Sequence, residues 1–129
     1  MADTNVLLSA FALRGAGATQ LVRVAQRQYH LLVADYSFEE LESFYRTERM
    51  PGLQALHAWR HSGAVTMVRS RPFPVPPIAD EKDKPILEAA VAAKPDFFVT
   101  QDRKHFHTTE IRRVLDVVTV YEMLRLLGR

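Results

Sequence analysis

The sequence predicts an α/β protein in which helices cover both faces of a mostly parallel central sheet, a three-layer α/β/α arrangement. Two observations predict this fold class. Short apolar segments recur along the chain, and stretches whose apolar residues have helical spacing separate them. The length of 129 residues, with 47% hydrophobic and 25% charged residues, suits one globular domain. No repeat or flexible linker divides the chain, so we expect a single domain over residues 1–129.

Four helices and two strands are predicted in the first half of the chain. Apolar residues at helical spacing predict helices over 6–13 and 18–29. A third helix opens at Ser37, where the residues have the spacing of a capping box. A fourth helix follows Pro51-Gly52 and ends near residue 62. The mostly apolar segments 30–34 and 64–68 are predicted to be buried strands.

In the second half, prolines separate the predicted elements. Four of the seven prolines lie within residues 72–77 and force an extended crossing segment. A fifth helix starts near Asp83, with a proline in its first turn. Strands are predicted over 97–100 and 114–118, and Thr119 opens a final helix with a second capping box.

The composition excludes several classes of function. The absence of cysteine excludes thiol nucleophiles, disulfides, thiolate zinc sites and iron–sulfur clusters. The apolar segments are too short to span a bilayer and no signal-peptide pattern precedes them, so we expect a cytoplasmic protein without a membrane partner. The net charge is only +2, but arginines outnumber lysines by 13 to 4, a preference that suits phosphate recognition.

Four carboxylates are the strongest candidates for a functional site. Asp83 and Asp102 border the edge where a parallel sheet collects its functional residues, Asp3 precedes the first helix, and Glu40 projects from the third. Taken singly, each has a structural explanation as a helix cap, a capping-box residue or a turn former. Together they would repel one another unless a divalent cation lay among them, and such oxygen ligands suit Mg²⁺ or Mn²⁺. A site of this kind hydrolyses a phosphodiester with metal-activated water.

These carboxylates lie in segments that resemble the motifs of the PIN-domain family, nucleases named for a PilT N-terminal domain that include VapC-like toxin ribonucleases. The resembling segments, in order, are DTNVLLSA (3–10), YSFEEL (36–41), DKPILEAA (83–90) and FVTQD (98–102). The resemblance implies a Mg²⁺- or Mn²⁺-dependent endoribonuclease, the toxin of a bacterial toxin–antitoxin pair, with a three-layer fold. It assigns metal binding and water activation to Asp3, Glu40, Asp83 and Asp102.

Further residues have supporting roles in this interpretation. The resemblance implies that Asn5, Thr100 and Ser9 orient the metal ligands, although Asn5 also fits a helix cap and Thr100 a strand end. Arg103 and Lys104 adjoin the last acid, where they either approach an RNA backbone or form a solvated pair. The implied partners are the RNA substrate, an antitoxin protein and a second copy of the chain. The apolar residues available for such a homodimer include Phe11, Leu13 and Trp59.

Two departures from the family pattern concern the start of the first motif and the end of the fourth. Only Met1 and Ala2 precede Asp3, where the family has a hydrophobic strand, so we expect most of the first strand to be absent and Asp3 to be poorly anchored. Gln101 stands where the family often has a small residue. Gln101 adds no charge and is not expected to disable the site. Because the first strand is expected to be mostly absent, the alternative function is a catalytically silent PIN-like module that binds RNA or a partner protein.

Other groups suggest different chemistry less specifically. Residues 15–20 mimic a dinucleotide-binding fingerprint, but its third glycine is replaced and no clear strand precedes it. His57 and His61 have the spacing of two metal ligands, although surface histidines are the favoured interpretation. His105 and His107 are predicted to be solvated loop residues. Asp80 and Glu81 either assist the metal or form a solvated charge run.

Overall fold

The computed structural model describes all 129 residues apart from the side chain of Arg103. Helices and short strands alternate along the chain, as the sequence predicts. The elements are α1 (Thr4–Phe11), α2 (Ala16–Arg23), β1 (Leu31–Ala34), α3 (Asp35–Thr47), α4 (Leu53–Arg60), β2 (Val65–Val68), a 3₁₀ turn (Glu81–Asp83), α5 (Lys84–Ala93), β3 (Phe98–Val99), α6 (Arg103–Phe106), α7 (Thr109–Arg112), β4 (Val117–Val118) and α8 (Val120–Leu126). Within the described chain, no helix has the length and apolar character needed to span a bilayer.

The strands form two parallel pairs, and residues 1–3 lie between them. β1 pairs with β2, and β3 pairs with β4. The backbone N–H of Ala2 donates to the carbonyl of Leu32 at 3.0 Å, and that of Asp3 donates to the carbonyl of Val99 at 2.9 Å. The expectation that Asp3 is poorly anchored is therefore wrong, because hydrogen bonds hold its segment on both sides. These bonds place residues 1–3 at the centre of the order β2, β1, residues 1–3, β3, β4.

Two apolar cores lie on opposite faces of this sheet. Leu31 and Val33 of β1 pack with α1, α2, α3, α4 and α8, whereas Ala34 packs with α5, α6 and α7. β3 divides in the same way, since Val99 enters the first core and Phe98 the second. Successive side chains of a strand point to opposite faces, so this division requires helices on both sides. The predicted three-layer α/β/α fold is confirmed.

The third helix begins earlier than predicted. α3 starts at Asp35 directly after β1, and Ala34 occupies the cap position. Oδ1 of Asp35 accepts the backbone N–H groups of Tyr36 at 2.7 Å and Ser70 at 3.0 Å, so this side chain holds the junction between strand and helix. The predicted capping box at Ser37 is wrong, because Ser37 lies buried inside the helix. Glu40 is therefore in the second turn and has no capping role.

Other boundaries differ where short helices replace predicted loops and strands. α2 ends at Arg23, and the positive φ of 74° at Gln26 breaks the predicted continuation to residue 29. The predicted strand over 114–118 is only Val117–Val118, and the four-residue helix α7 precedes it. The capping box that opens the last helix is confirmed by reciprocal hydrogen bonds between Thr119 and Glu122.

Candidate metal centre

Elements from distant parts of the sequence bring four carboxylates to the carboxyl edge of the strands. Asp3 ends the central segment, Asp102 follows β3, Asp83 precedes α5, and Glu40 projects from α3. Burial is the main cause that raises the pKa values of Asp3 and Glu40, the charges of Asp83 and Asp102 add to the rise for Asp3, and the charge of Asp83 adds to the rise for Glu40. These charge effects place Asp83 near both Asp3 and Glu40, and Asp102 near Asp3.

Asp3 is the most deeply buried of the four, with 4% of its surface exposed. Burial, supplemented by the charges of Asp83 and Asp102, raises its pKa to about 7. Two hydrogen bonds oppose this rise. The hydroxyl of Thr100 donates to Oδ2 at 2.8 Å, and the backbone N–H of Thr4 donates to Oδ1 at 2.7 Å. Without a cation, the carboxyl group of Asp3 therefore holds its proton far more readily than an exposed aspartate does.

The hydroxyl of Thr100 connects Asp3 to the turn that carries Asp102. It accepts the backbone N–H of Asp102 at 2.9 Å and the side-chain amide of Asn5 at 3.4 Å. The side-chain carbonyl of Asn5 in turn accepts the backbone N–H of Gln101 at 3.1 Å. Thr100 and Asn5 thus fix the turn on which Asp102 lies.

Glu40 reaches the site from α3 and contacts the first turn of α1. The hydroxyl of Thr4 donates to Oε1 of Glu40 at 2.7 Å. Partial burial raises the pKa of Glu40, the Thr4 hydrogen bond and the charge of Lys82 oppose this rise, and the charge of Asp83 adds to it. Sequence reasoning missed Thr4, whose only signal is its position beside Asp3.

His105 lies between two of the acids. Its Nδ1 is 3.0 Å from Oδ2 of Asp83 and 2.8 Å from Oδ2 of Asp102, distances at which a protonated ring would form an ion pair with both carboxylates. Oδ1 of Asp102 caps α6, because it accepts the backbone N–H groups of Lys104 and His105 at 3.0 and 2.9 Å. The prediction that His105 and His107 are solvated is wrong, since both are partly buried and the side chain of His105 is only 23% exposed.

Asp83 stands at the cap position of α5, but its side chain makes no capping hydrogen bond. Burial raises its pKa, the neighbouring His105 lowers it, and the charges of Asp102 and Asp80 raise it further. Asp80, Asp83 and His105 each offer a ligand atom within 4.8 Å of the others. Asp80 therefore lies close enough to assist a cation, while its Oδ1 also accepts the backbone N–H of Lys82.

The chemistry of these side chains fits a divalent cation. Among the described side chains, no lysine or arginine forms an ion pair with the four carboxylates, although the charge of Lys82 lowers the pKa of Glu40 and the ring of His105 contacts Asp83 and Asp102. Burial and mutual repulsion leave the pKa values of Asp3, Glu40 and Asp83 raised. A divalent cation would reverse this repulsion, and carboxylate oxygens are ligands that Mg²⁺ and Mn²⁺ accept.

A comparison with protein families assigns the fold. A family model described as the PIN domain matches residues 1–104, which include all four carboxylates. The chain belongs to the PIN-domain family. PIN domains are generally nucleases and typically use divalent metals. No curated protein and no solved structure matches the chain.

Three further candidates lie at or beside this PIN-domain site. Ser9 packs against Gly15 in the α1–α2 connection, and in the described part of the chain its hydroxyl makes no hydrogen bond to the carboxylates. Lys104 is exposed, next to the capping carboxylate of Asp102. The side chain of Arg103 lies outside the described residues.

The remaining sequence candidates lie elsewhere in the PIN domain. Nε2 of His57 contacts Oε2 of Glu42 at 2.5 Å, which accounts for this histidine without a metal. The glycine-rich segment 15–17 follows the helix α1, so it lacks the preceding strand of a dinucleotide site. Phe11 packs on Trp59 of the same chain with ring centroids 4.6 Å apart.

Proposed function

We propose that this PIN domain is a Mg²⁺- or Mn²⁺-dependent endoribonuclease. The observation that carries the proposal is the set of Asp3, Glu40, Asp83 and Asp102 at the carboxyl edge of the sheet, in which burial and like charge raise the pKa values of Asp3, Glu40 and Asp83. Helix capping does not explain all four carboxylates, because the side chains of Asp83 and Glu40 cap no helix. Convergent carboxylates with this charge favour a site for a cation.

In this proposal the four carboxylates hold the metal, and other residues of the chain fix their positions. When bound, the cation would polarise a phosphodiester and lower the pKa of a water molecule. Thr4 holds Glu40 through its hydroxyl, and Thr100 holds Asp3 while it accepts the backbone N–H of Asp102. Such supporting hydrogen bonds are a large part of the affinity of metal sites, because they orient the ligands before the metal binds.

The test is the cleavage of a fluorophore-quencher single-stranded RNA with Mg²⁺, Mn²⁺ or a chelator. We expect cleavage only with metal, and a loss of at least ~100-fold in the Asp83→Asn and Asp102→Asn variants, which should remain folded by circular dichroism. Asp116→Asn is the matched control, because Asp116 is exposed and precedes β4. Cleavage that survives chelation, or that is equal in all four proteins, would contradict the proposal. RNA binding without cleavage would favour the silent module instead.

The proposal extends to a toxin that an antitoxin protein neutralises in the bacterial cytoplasm, with a homodimer as its assembly. This extension is supported by the family resemblance alone. We expect expression of the wild-type chain to arrest growth, Asp83→Asn to be harmless, and the product of an adjacent reading frame to restore growth. Harmless wild-type protein that still cleaves RNA in solution would refute the toxin role and leave the nuclease intact.

A further inference from the structure

A groove beside α2 is lined by four arginines. Its volume is about 480 Å³, and Arg14, Arg23, Arg27 and Arg129 line it, all of them exposed. No acidic residue is among its described lining, and within the described side chains these arginines form no ion pair. The groove therefore presents concentrated positive charge in a chain whose net charge is only +2. Such a surface attracts a polyanion.

A second groove neighbours the arginine groove and includes the residue that precedes Asp102. Its volume is about 430 Å³, and its lining includes Gln101, Ser9, Gly15 and Tyr121. Ala16 lines both grooves, so the two are neighbours. The second groove also includes Gln101, which directly precedes Asp102 and whose backbone N–H is held by Asn5. We refer to the two neighbouring grooves together as the path, which extends from the residue before Asp102 to the arginines.

The side chain of Tyr121 gives this path an aromatic surface. Tyr121 is the second residue of α8, and 67% of its surface is exposed. The guanidinium of Arg125 lies 5.7 Å from its ring centroid and donates to its hydroxyl at 3.4 Å. An exposed aromatic ring beside a basic groove is the arrangement on which the bases of single-stranded nucleic acid stack.

We propose that single-stranded RNA follows this path, with phosphates against the arginines and a base stacked on Tyr121. The choice of RNA as the ligand rests on the proposed function. The path adds where the RNA binds on either side of the cleaved bond. An acidic peptide would also complement the arginines, but the exposed ring and the position of Gln101 beside Asp102 favour RNA. Tyr121 and Arg129 lie outside residues 1–104, which match the family.

The test measures the affinity of the full chain for a labelled oligouridylate of roughly 16 nucleotides, in chelator so that no metal-dependent cleavage occurs. The groove variant is Arg23→Gln/Arg27→Gln, and the matched control is Arg112→Gln/Arg113→Gln. Both pairs are exposed, and each has one arginine in the last turn of a helix. We expect about tenfold weaker binding at low salt for the groove variant, and a plot of log affinity against log salt that is shallower by about 1.4, with little change in the control.

A second pair of variants tests the stacking. Tyr121→Ala should weaken binding at least about fivefold, whereas Tyr121→Phe keeps the ring and should bind as the wild type does. Equal affinities and salt slopes for the two arginine variants would overturn the path, as would equal binding by Tyr121→Ala and Tyr121→Phe. Loss of polyglutamate binding in the groove variant, with RNA binding unchanged, would overturn it in favour of an acidic partner.

The two proposals fail separately in these experiments. Arginine-dependent RNA binding by a protein that never cleaves RNA would refute the nuclease and support the path. Metal-dependent cleavage, together with RNA binding that is unchanged by the substitutions of Arg23, Arg27 and Tyr121, would refute the path and support the nuclease. A dinucleotide has no phosphates beyond the cleaved bond, so the proposal expects its cleavage to be equal in the groove variant and the control.

Discussion

The hydroxyl of Thr100 donates a 2.8 Å hydrogen bond to Oδ2 of Asp3 and joins two segments that lie 97 positions apart in the sequence. The same oxygen accepts the backbone N–H of Asp102 at 2.9 Å. One buried hydroxyl therefore fixes the distance between two of the proposed metal ligands. Because Thr100 is fully buried, water cannot replace this hydrogen bond when it is removed.

Thr100→Val should destabilise the metal-free protein by about 2–3 kcal/mol, because it leaves the backbone N–H of Asp102 and Oδ2 of Asp3 without their partner. Urea unfolding measures this free energy, and calorimetry of Mn²⁺ binding should show an affinity that is lower by about 10-fold or more. Thr100→Ser is the control, since it keeps the hydroxyl and loses only a methyl group, at a cost of about 1 kcal/mol. A valine variant as stable as the serine variant would show that the hydroxyl is unimportant.

The order of the elements was predictable, because it depends on local patterns. The apolar segments that become β1, β2 and β3 are short and bounded by clear helical spacing. The position of residues 1–3 was not predictable, since three residues carry no periodicity. Only pairing with β1 and β3 makes them the centre of the sheet.

The position of His105 was also unpredictable, because it lies in a helix too short to have a recognisable sequence pattern. α6 has only four residues, and its first-turn N–H groups are held by the side chain of Asp102. The sequence signal was weak: an aspartate at a cap position three residues before His105, followed by an apolar Phe106 that becomes fully buried. At Ser37 the capping-box pattern was present but the helix began earlier, because β1 passes into α3 without the loop that a serine cap requires.

Asp3 should make the stability of the metal-free protein depend on pH. Its pKa is about 7 in the folded state and near 3.8 in the unfolded chain, so the folded state binds the extra proton between these values. The stabilisation from this proton is fully present below about pH 4 and is lost as the pH rises through 7, by roughly 4 kcal/mol in total. The free energy of unfolding in urea, measured in chelator at several pH values from about 5 to about 8, gives this slope.

Asp3→Asn is the variant that isolates this effect, because Glu40 and Asp83 also have raised pKa values and give a slope of the same sign. The difference in slope between the wild type and Asp3→Asn belongs to Asp3 alone. Excess Mg²⁺ should flatten the wild-type slope, since the cation stabilises the ionised carboxylate. Identical slopes for the two proteins in chelator would contradict the burial of an ionisable group at this position.

Gly15 is required by the close approach of Ser9. A Cβ at Gly15 would lie 2.3 Å from Oγ of Ser9, while the next nearest atom of Ser9 is 3.6 Å away. Gly15→Ala should therefore cost about 1 kcal/mol, because Ser9 must change its rotamer. The double variant Ser9→Ala/Gly15→Ala should recover this loss, and thermal unfolding of the four proteins in a double-mutant cycle measures the coupling. Additive effects of the two substitutions would show that the contact does not limit residue 15.

The contact of His105 with Asp83 and Asp102 should matter most when no metal is bound. His105→Ala removes the ring that lies between the two carboxylates, so the metal-free protein should lose roughly 1 kcal/mol of stability. Mg²⁺ relieves the same repulsion, so the rise in Tm on adding Mg²⁺ should be larger in the variant than in the wild type. His61→Ala is the control, because His61 is exposed at the end of α4 and should change neither quantity. A smaller Mg²⁺ shift in His105→Ala would instead make His105 a ligand of the metal.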